Sequence, residues 1–248
     1  MPKRKRVARV PVSRCTVVIV AAGVSKRMGG KTRKPFLKLR GKPILTWTAS
    51  RFAKLPGVEQ LVVVTRQEDR AQAKRAVKTA KLPSRIEVLF AEGGTRRQDS
   101  VLNGLRVADS DMEIALIHDA ARPFPPVEAM CKAVAAAGQH GGAILAVPVH
   151  DTIKRQVDDD GGPAIETTVP RSGLWQAQTP QVFRRALIRD LLEVLAHTTP
   201  DLEVTDDAAI LERFGNTVAL IESSAMNIKI TRPEDIPIAE ALLKQKLV

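Results

Sequence analysis

Five short apolar runs constrain this chain more than any other feature: Thr16 to Val20, Gln60 to Thr65, Ile86 to Phe90, Ile114 to His118 and Ala143 to Val147. They are rich in β-branched residues and mostly lack polar alternation, the pattern of strands buried on both faces of a parallel sheet. Between them, Ile44 to Leu55, Glu68 to Ala80, Gln98 to Ala108 and Val127 to Ala137 have helical spacing and composition. Parallel neighbours need a crossover, so the repeated alternation predicts an α/β fold built on a doubly wound, mostly parallel sheet. A chain of 248 residues, 44% of them apolar, can fill one such domain, expected over 14–248.

In these sheets ligands sit where the loops at the carboxyl ends of the strands converge. Those loops here are Ala21 to Met28, Glu92 to Thr95, His118 to Pro123 and Val149 to Thr152. The first combines the small residues Ala21, Ala22 and Gly23 with Arg27 and, further on, Lys34. Small residues let a backbone offer its N–H groups to phosphate, and the two cations suit the charge on phosphate oxygens and a departing pyrophosphate. Gly30-Lys31-Thr32 imitates the end of a P-loop, but Ser25 stands where that motif needs its first glycine.

Beyond Asp151 the pattern changes. Lys154 to Trp175 contains the turn cluster Asp158 to Pro163 between short extended segments, which predicts a hairpin arm over about 151–175. A projecting hairpin needs a second surface, so a partner copy is expected. Helices are then predicted at Val182 to Leu195 and Asp206 to Phe214, and strands at Thr217 to Ile221 and Asn227 to Ile230. A closing helix follows, with Thr231 as cap and Glu234 as its reciprocal partner.

The net charge of +12 raises the question of nucleic acid, but Lys3, Arg4, Lys5, Arg6, Arg9 and Arg14 supply half of that excess in the first fourteen positions. This predicts a basic, solvated extension over 1–13. No Asp or Glu precedes Glu59, so the glycine-containing loop lies in an uncompensated positive stretch. With no Tyr and 3% aromatic residues there is little for bases to stack on, which favours a small phosphate-rich ligand over a nucleic acid. No apolar run approaches the roughly 20 residues that cross a bilayer, and no secretory core is visible, so a soluble cytoplasmic enzyme is expected. Cys15 and Cys131 are too few for a disulfide framework and read as free, buried thiols.

The motifs A-A-G-x-x-x-R-M, K-P-F, H-D-A-A-R-P, D-T-I-K-R, T-P-Q-x-F, T-D-D-A and N-I-K-I-T-R-P-E-D run in order from Ala21 to Asp235. In this the chain resembles the methylerythritol phosphate cytidylyltransferases. The resemblance implies a Rossmann-like nucleotidyltransferase, homodimeric through an exchanged arm, that uses CTP and a divalent cation such as Mg²⁺, with no ligand set for the metal assigned. By position, Arg27, Lys34 and Lys229 would be catalytic. Ala21, Ala22, Gly23, Gly94, Thr95, Gln98, Ser100, Asp119 and Ala120 would hold the nucleotide, with the Ser100 hydroxyl at the cytosine edge. Asp119, Arg122, Thr152, Arg171, Thr179, Thr205 and Lys229 would receive methylerythritol phosphate, Arg171 from the partner's arm. Thr95 replaces an Asp common in the family, so only its backbone role carries over. His118 is expected to be structural, because the attacking phosphate is already an anion. The alternatives are a ribitol 5-phosphate or related polyol-phosphate cytidylyltransferase, whose small pair after the Asp tends to differ, and a non-catalytic nucleic-acid binder.

Overall fold

In the computed structural model the described residues are 13–23, 33–159, 161–199 and 201–248; the basic extension expected over 1–13 and the catalytic candidate Arg27 lie almost wholly or wholly outside them. Arg14, counted above with that extension, belongs to the fold, where it pairs with Glu59 and Asp111.

The strands are β1 (Cys15–Val20), β2 (Lys38–Leu39), β3 (Lys42–Pro43), β4 (Val58–Thr65), β5 (Glu87–Glu92), β6 (Ile114–Asp119), β7 (Gly142–Pro148), β8 (Ile153–Asp159), β9 (Gly162–Val169), β10 (Trp175–Arg184) and β11 (Val218–Glu222). The helices are α1 (Ile44–Phe52), α2 (Arg70–Thr79), α3 (Arg97–Val107), α4 (Val127–His140), α5 (Arg185–Thr198), α6 (Ala208–Arg213) and α7 (Asp235–Lys244). Seven strands form one sheet in the order β11-β7-β10-β6-β1-β4-β5. All run parallel except β10, which is antiparallel to both β6 and β7.

Alternate residues of the central strands serve opposite faces, as the two-residue strand period requires. Val17, Ile19, Leu61 and Val63 pack against α1, α2 and α4, whereas Val18, Val62, Val64 and Ile117 pack against α3, α5 and α6. A third, smaller cluster of Leu39, Ile44, Phe124, Ile230 and Ala239 seats α7 beside the loop that follows β6.

The structure corrects four sequence expectations. Val182 and Phe183 belong to β10, and the helix expected from Val182 starts at Arg185. Asn227 to Ile230 form no strand; this extended segment is tied to the loop after β6 by Ile230 N–H donating to Ala121 O and Arg122 Nη1 donating to Asn227 O. The last helix begins at Asp235, whose carboxylate accepts from the N–H groups of Thr231 and Arg232 and from the Thr231 hydroxyl, so Asp235 rather than Glu234 closes the turn. Of the two free thiols, Cys15 is buried and pushed up to about 12 by burial, but Cys131 is exposed. Cys131 follows the core residue Met130, and one residue turns a helix by about 100° onto another face.

The expected hairpin is present. β8 and β9 pair antiparallel as a two-stranded sheet apart from the main one, with a register irregularity between Arg155 and Gln156. It exposes Val157 and Ile165, the latter at 65%.

Candidate active site

The loops after β1, β4, β5 and β6 meet at the carboxyl edge of the sheet around a cavity of about 440 Å³. Its lining includes ten of the residues picked from the sequence: Ala21, Ala22, Gly23, Lys34, Gly94, Thr95, Ser100, Asp119, Ala120 and Lys229. Arg66, Arg96 and Arg97 line it too.

The glycines are there for close approach. A Cβ on Gly93 would lie 2.3 Å from the Ala22 Cβ, and one on Gly94 would lie 2.4 Å from the Asp99 Cβ. No side chain fits at either place, so the loop after β5 presses its backbone onto the loop after β1 at Gly93 and onto the first turn of α3 at Gly94. The Ser100 hydroxyl accepts from Gly94 N–H and donates to Arg96 O, and so closes this loop on the first turn of α3. That hydroxyl, expected at a cytosine edge, already commits its proton inside the protein. Gln98 is also turned inward. It is buried, its amide donates to Leu202 O at 2.7 Å, and its carbonyl accepts from Val204 N–H at 3.0 Å. It therefore fixes the segment before α6 and does not line the cavity.

Asp119 ends β6 among three cations. Its Oδ2 lies 2.7 Å from Lys229 Nζ and 3.8 Å from Arg122 Nε, and its Oδ1 lies 3.6 Å from Arg97 Nε. Burial alone would raise this carboxyl, but Arg97, Lys229 and Arg122 together hold it well below the usual carboxylate range. Arg97 in turn places Nη1 2.8 Å from Oδ2 of Asp207, which is fully buried and has its carboxyl pushed up by that burial against the pull of Arg97. The Lys229-Asp119-Arg97-Asp207 chain thus runs from the cavity into the core.

His118 is wholly buried, its ring edge-on to Phe52 at 5.0 Å. Nε2 is 2.8 Å from Arg122 O, which only accepts, so the proton sits on Nε2 and Nδ1 accepts from the Thr179 hydroxyl at 3.1 Å. Thr179 Oγ1 accepts in turn from Asp119 N–H at 3.1 Å. Each proton in this relay has one acceptor. Burial lowers His118 to about 4, so it stays neutral at physiological pH, consistent with a structural role. Thr179, expected at the substrate phosphate, is committed to this relay.

The remaining candidates lie away from the cavity in the single chain. Thr152 and Thr205 are exposed, and Arg171, just after β9, donates to His150 O of its own chain. Arg122 sits behind Asp119 and reaches Asn227 O at 2.7 Å. Sequence reasoning missed Arg66, Arg96 and Arg97. For the latter two the visible signal was a pair of adjacent arginines just past the Gly93-Gly94 strand end.

A family model for 2-C-methyl-D-erythritol 4-phosphate cytidylyltransferase matches residues 15–245. The chain belongs to this family. Among its relatives, the 2-C-methyl-D-erythritol 4-phosphate cytidylyltransferase of Syntrophotalea carbinolica is 43% identical over 231 residues, covering 92% of this chain and 95% of that one. Among solved structures, 4-diphosphocytidyl-2C-methyl-D-erythritol synthase from Anaerococcus prevotii matches with a TM-score of 0.78 at 29% identity, covering 94% of this chain and 96% of that one. The 2-C-methyl-D-erythritol 4-phosphate cytidylyltransferase from Thermus thermophilus matches with a TM-score of 0.73 at 31% identity, over 93% and 99% of the two chains. As a cytidylyltransferase family member the chain is a nucleotidyltransferase.

Proposed function

We propose that the cavity at the ends of β1, β5 and β6 is where CTP meets 2-C-methyl-D-erythritol 4-phosphate. The chain transfers CMP between them, giving 4-diphosphocytidyl-2-C-methyl-D-erythritol and pyrophosphate, a step of isoprenoid precursor synthesis. The observation that carries the placement is the cavity's charge: Lys34, Arg66, Arg96, Arg97 and Lys229 line it, against Asp119 as the one acid among its described lining residues. Two anions must be brought into contact there, so positioning and charge neutralisation are the main demands of the reaction. The family match supports methylerythritol phosphate over ribitol 5-phosphate as acceptor.

In this reading an oxygen of the acceptor phosphate attacks the α-phosphorus of CTP in line, a P–O bond forms, and the bond to the bridging oxygen breaks as pyrophosphate leaves. No proton need be removed from the nucleophile, in accord with a structural rather than a base role for buried His118. Lys34 neutralises the triphosphate from the loop side, and Arg27 is assigned the same task by its motif. Lys229, 45% exposed and held by Asp119, presents its ammonium to the acceptor phosphate. Backbone N–H groups of Ala22, Gly23 and Thr95 are assigned to the nucleotide, those of Ala21 and Gly94 being committed to Val64 O and the Ser100 hydroxyl. The donor set suits Mg²⁺ only with substrate bound: no cluster of three or more metal-binding side chains occurs among the described residues, but one carboxylate plus phosphate oxygens is an ordinary Mg²⁺ environment. Asp119 would supply the carboxylate, and the ion would offset charge on the phosphates.

The exposed arm supports a homodimer in which Arg171 serves the partner's site, while Thr152 and Thr205 keep their assignment to the acceptor-binding set. No helix among the described residues is long and apolar enough to cross a membrane, in keeping with the cytoplasmic setting we assign. The test of the site is Lys34→Ala: kcat should fall by roughly 10²-fold or more with the fold intact. Near-normal turnover would remove Lys34 from the site.

A further inference from the structure

The turn that follows β4 contacts both flanks of the basic loop region. On one side Arg66 Nε donates to Ala22 O at 3.0 Å. On the other, Arg33 Nη1 donates to Asp69 at 2.5 Å and Arg33 Nη2 to Glu68 at 2.8 Å. Arg33 and Lys34 are adjacent, and the Arg33 carbonyl accepts from Phe36 N–H at 2.9 Å in the short 3-10 turn Lys34–Phe36. Pro35 and Phe36 are buried in the core beneath. Lys34 is therefore fixed from both neighbours: behind it by a guanidinium held on a carboxylate, ahead of it by two anchored apolar residues.

The two acids are not equivalent. Asp69 has a side chain 12% exposed, whereas Glu68 is 59% exposed and shares its carboxylate with Arg66 at 3.7 Å. A half-buried, hydrogen-bonded pair holds its geometry; an exposed pair contributes little. Asp69 makes no side-chain bond to the start of α2, so its carboxylate is engaged by Arg33 rather than in capping the helix.

We propose that Arg33 and Asp69 are positioning residues of the transfer reaction, a clamp that fixes where Lys34 presents its ammonium, while Arg66 on the same turn sets the Ala22 carbonyl and the nucleotide loop. The inference rests on the assignment of Lys34 to the site. Positional errors near 1 Å at a reacting centre can cost about 10²-fold in rate. The loss should appear in kcat, because the charge that Lys34 offsets grows in the transition state.

The experiment is a double-mutant cycle. Asp69→Asn and Arg33→Met are each made in the wild-type enzyme and in Lys34→Ala, with kcat and the CTP KM measured and the thermal midpoint as a folding control. The clamp predicts that each lowers kcat about 10- to 100-fold in the wild type and less than about 2-fold in Lys34→Ala, because the group it positions is gone. Glu68→Gln should change kcat by less than about 3-fold, since that pair is exposed. Equal losses in both backgrounds, or a folded Asp69→Asn enzyme with normal kcat, would overturn the clamp. Full turnover in Lys34→Ala alone would instead overturn the placement of Lys34, a separate outcome of the same cycle. Should Asp69→Asn not fold, Arg33→Met probes the pair from the other side, where the removed group is partly solvated.

Discussion

Thr179→Val replaces one hydroxyl by a methyl of similar size at the centre of the relay that anchors the Asp119 loop. The side chain is buried, so packing is nearly conserved and the loss is polar. Two groups are stranded: Asp119 N–H, 3.1 Å from the hydroxyl oxygen, and His118 Nδ1, also 3.1 Å from it. Leaving a buried donor or acceptor unpaired costs about 1–3 kcal/mol each, so the substitution should destabilise the fold by about 2–6 kcal/mol. For a chain of this size each kcal/mol lowers the midpoint by roughly 2–4 °C, giving a fall on the order of 4–24 °C. Thr179→Ser keeps the hydroxyl and should recover more than half of that loss. Urea and thermal unfolding followed by circular dichroism, with turnover measured beside them, provide the assay. A Thr179→Val protein with a midpoint within about 1 °C of wild type, well inside the predicted fall, would refute the relay, whatever its activity.

Acid should weaken the same place. His118 is held near 4 in the fold against about 6.5 in the unfolded chain. The unfolded state therefore binds more protons between those values, and the stability this ring contributes is full above about 6.5 and is lost as pH falls toward 4. Between about pH 8 and about pH 5 that loss should be about 2 kcal/mol, read as the difference in urea-unfolding pH dependence between wild type and His118→Gln; identical dependences would contradict it. Mixed dimers of Lys34→Ala and Arg171→Ala subunits should regain about half of the wild-type turnover if Arg171 serves the partner's site, because one site per dimer is then whole. Verified mixed dimers with no recovery would place Arg171 in its own chain.

Strands β1, β4, β6 and β7 were legible because burial on both faces leaves an unbroken apolar run. β10 was not. Its Gln176, Gln178 and Gln181 look like loop residues, and Val182 and Phe183 merge into the helical pattern that follows. Inside the fold Gln178 and Gln181 are internal ties: Gln181 donates to Asp206 and accepts from Asp207 N–H, and Gln178 joins Ser224 O and Asn227. Partners so distant in sequence leave no periodic trace. The same reason hid the pairing of Arg97 with Asp207 and of Arg33 with Asp69. Gly94 and Asp119 could be picked out because small residues and charges at strand ends have few structural uses there, and Lys34 because no acid before Glu59 compensates its stretch. Gln98, Ser100 and Thr179 were picked by their motif positions, but the bonds that occupy their side chains depend on tertiary geometry.

Pyrophosphate release by the purified protein with Mg²⁺ tests the assigned reaction most directly, using each of the four ribonucleoside triphosphates with methylerythritol phosphate or ribitol 5-phosphate. Release confined to CTP with methylerythritol phosphate is the predicted result. Preference for ribitol 5-phosphate would overturn the acceptor while keeping the chemistry, and no release with any pair would contradict the assignment of this cavity to cytidylyl transfer.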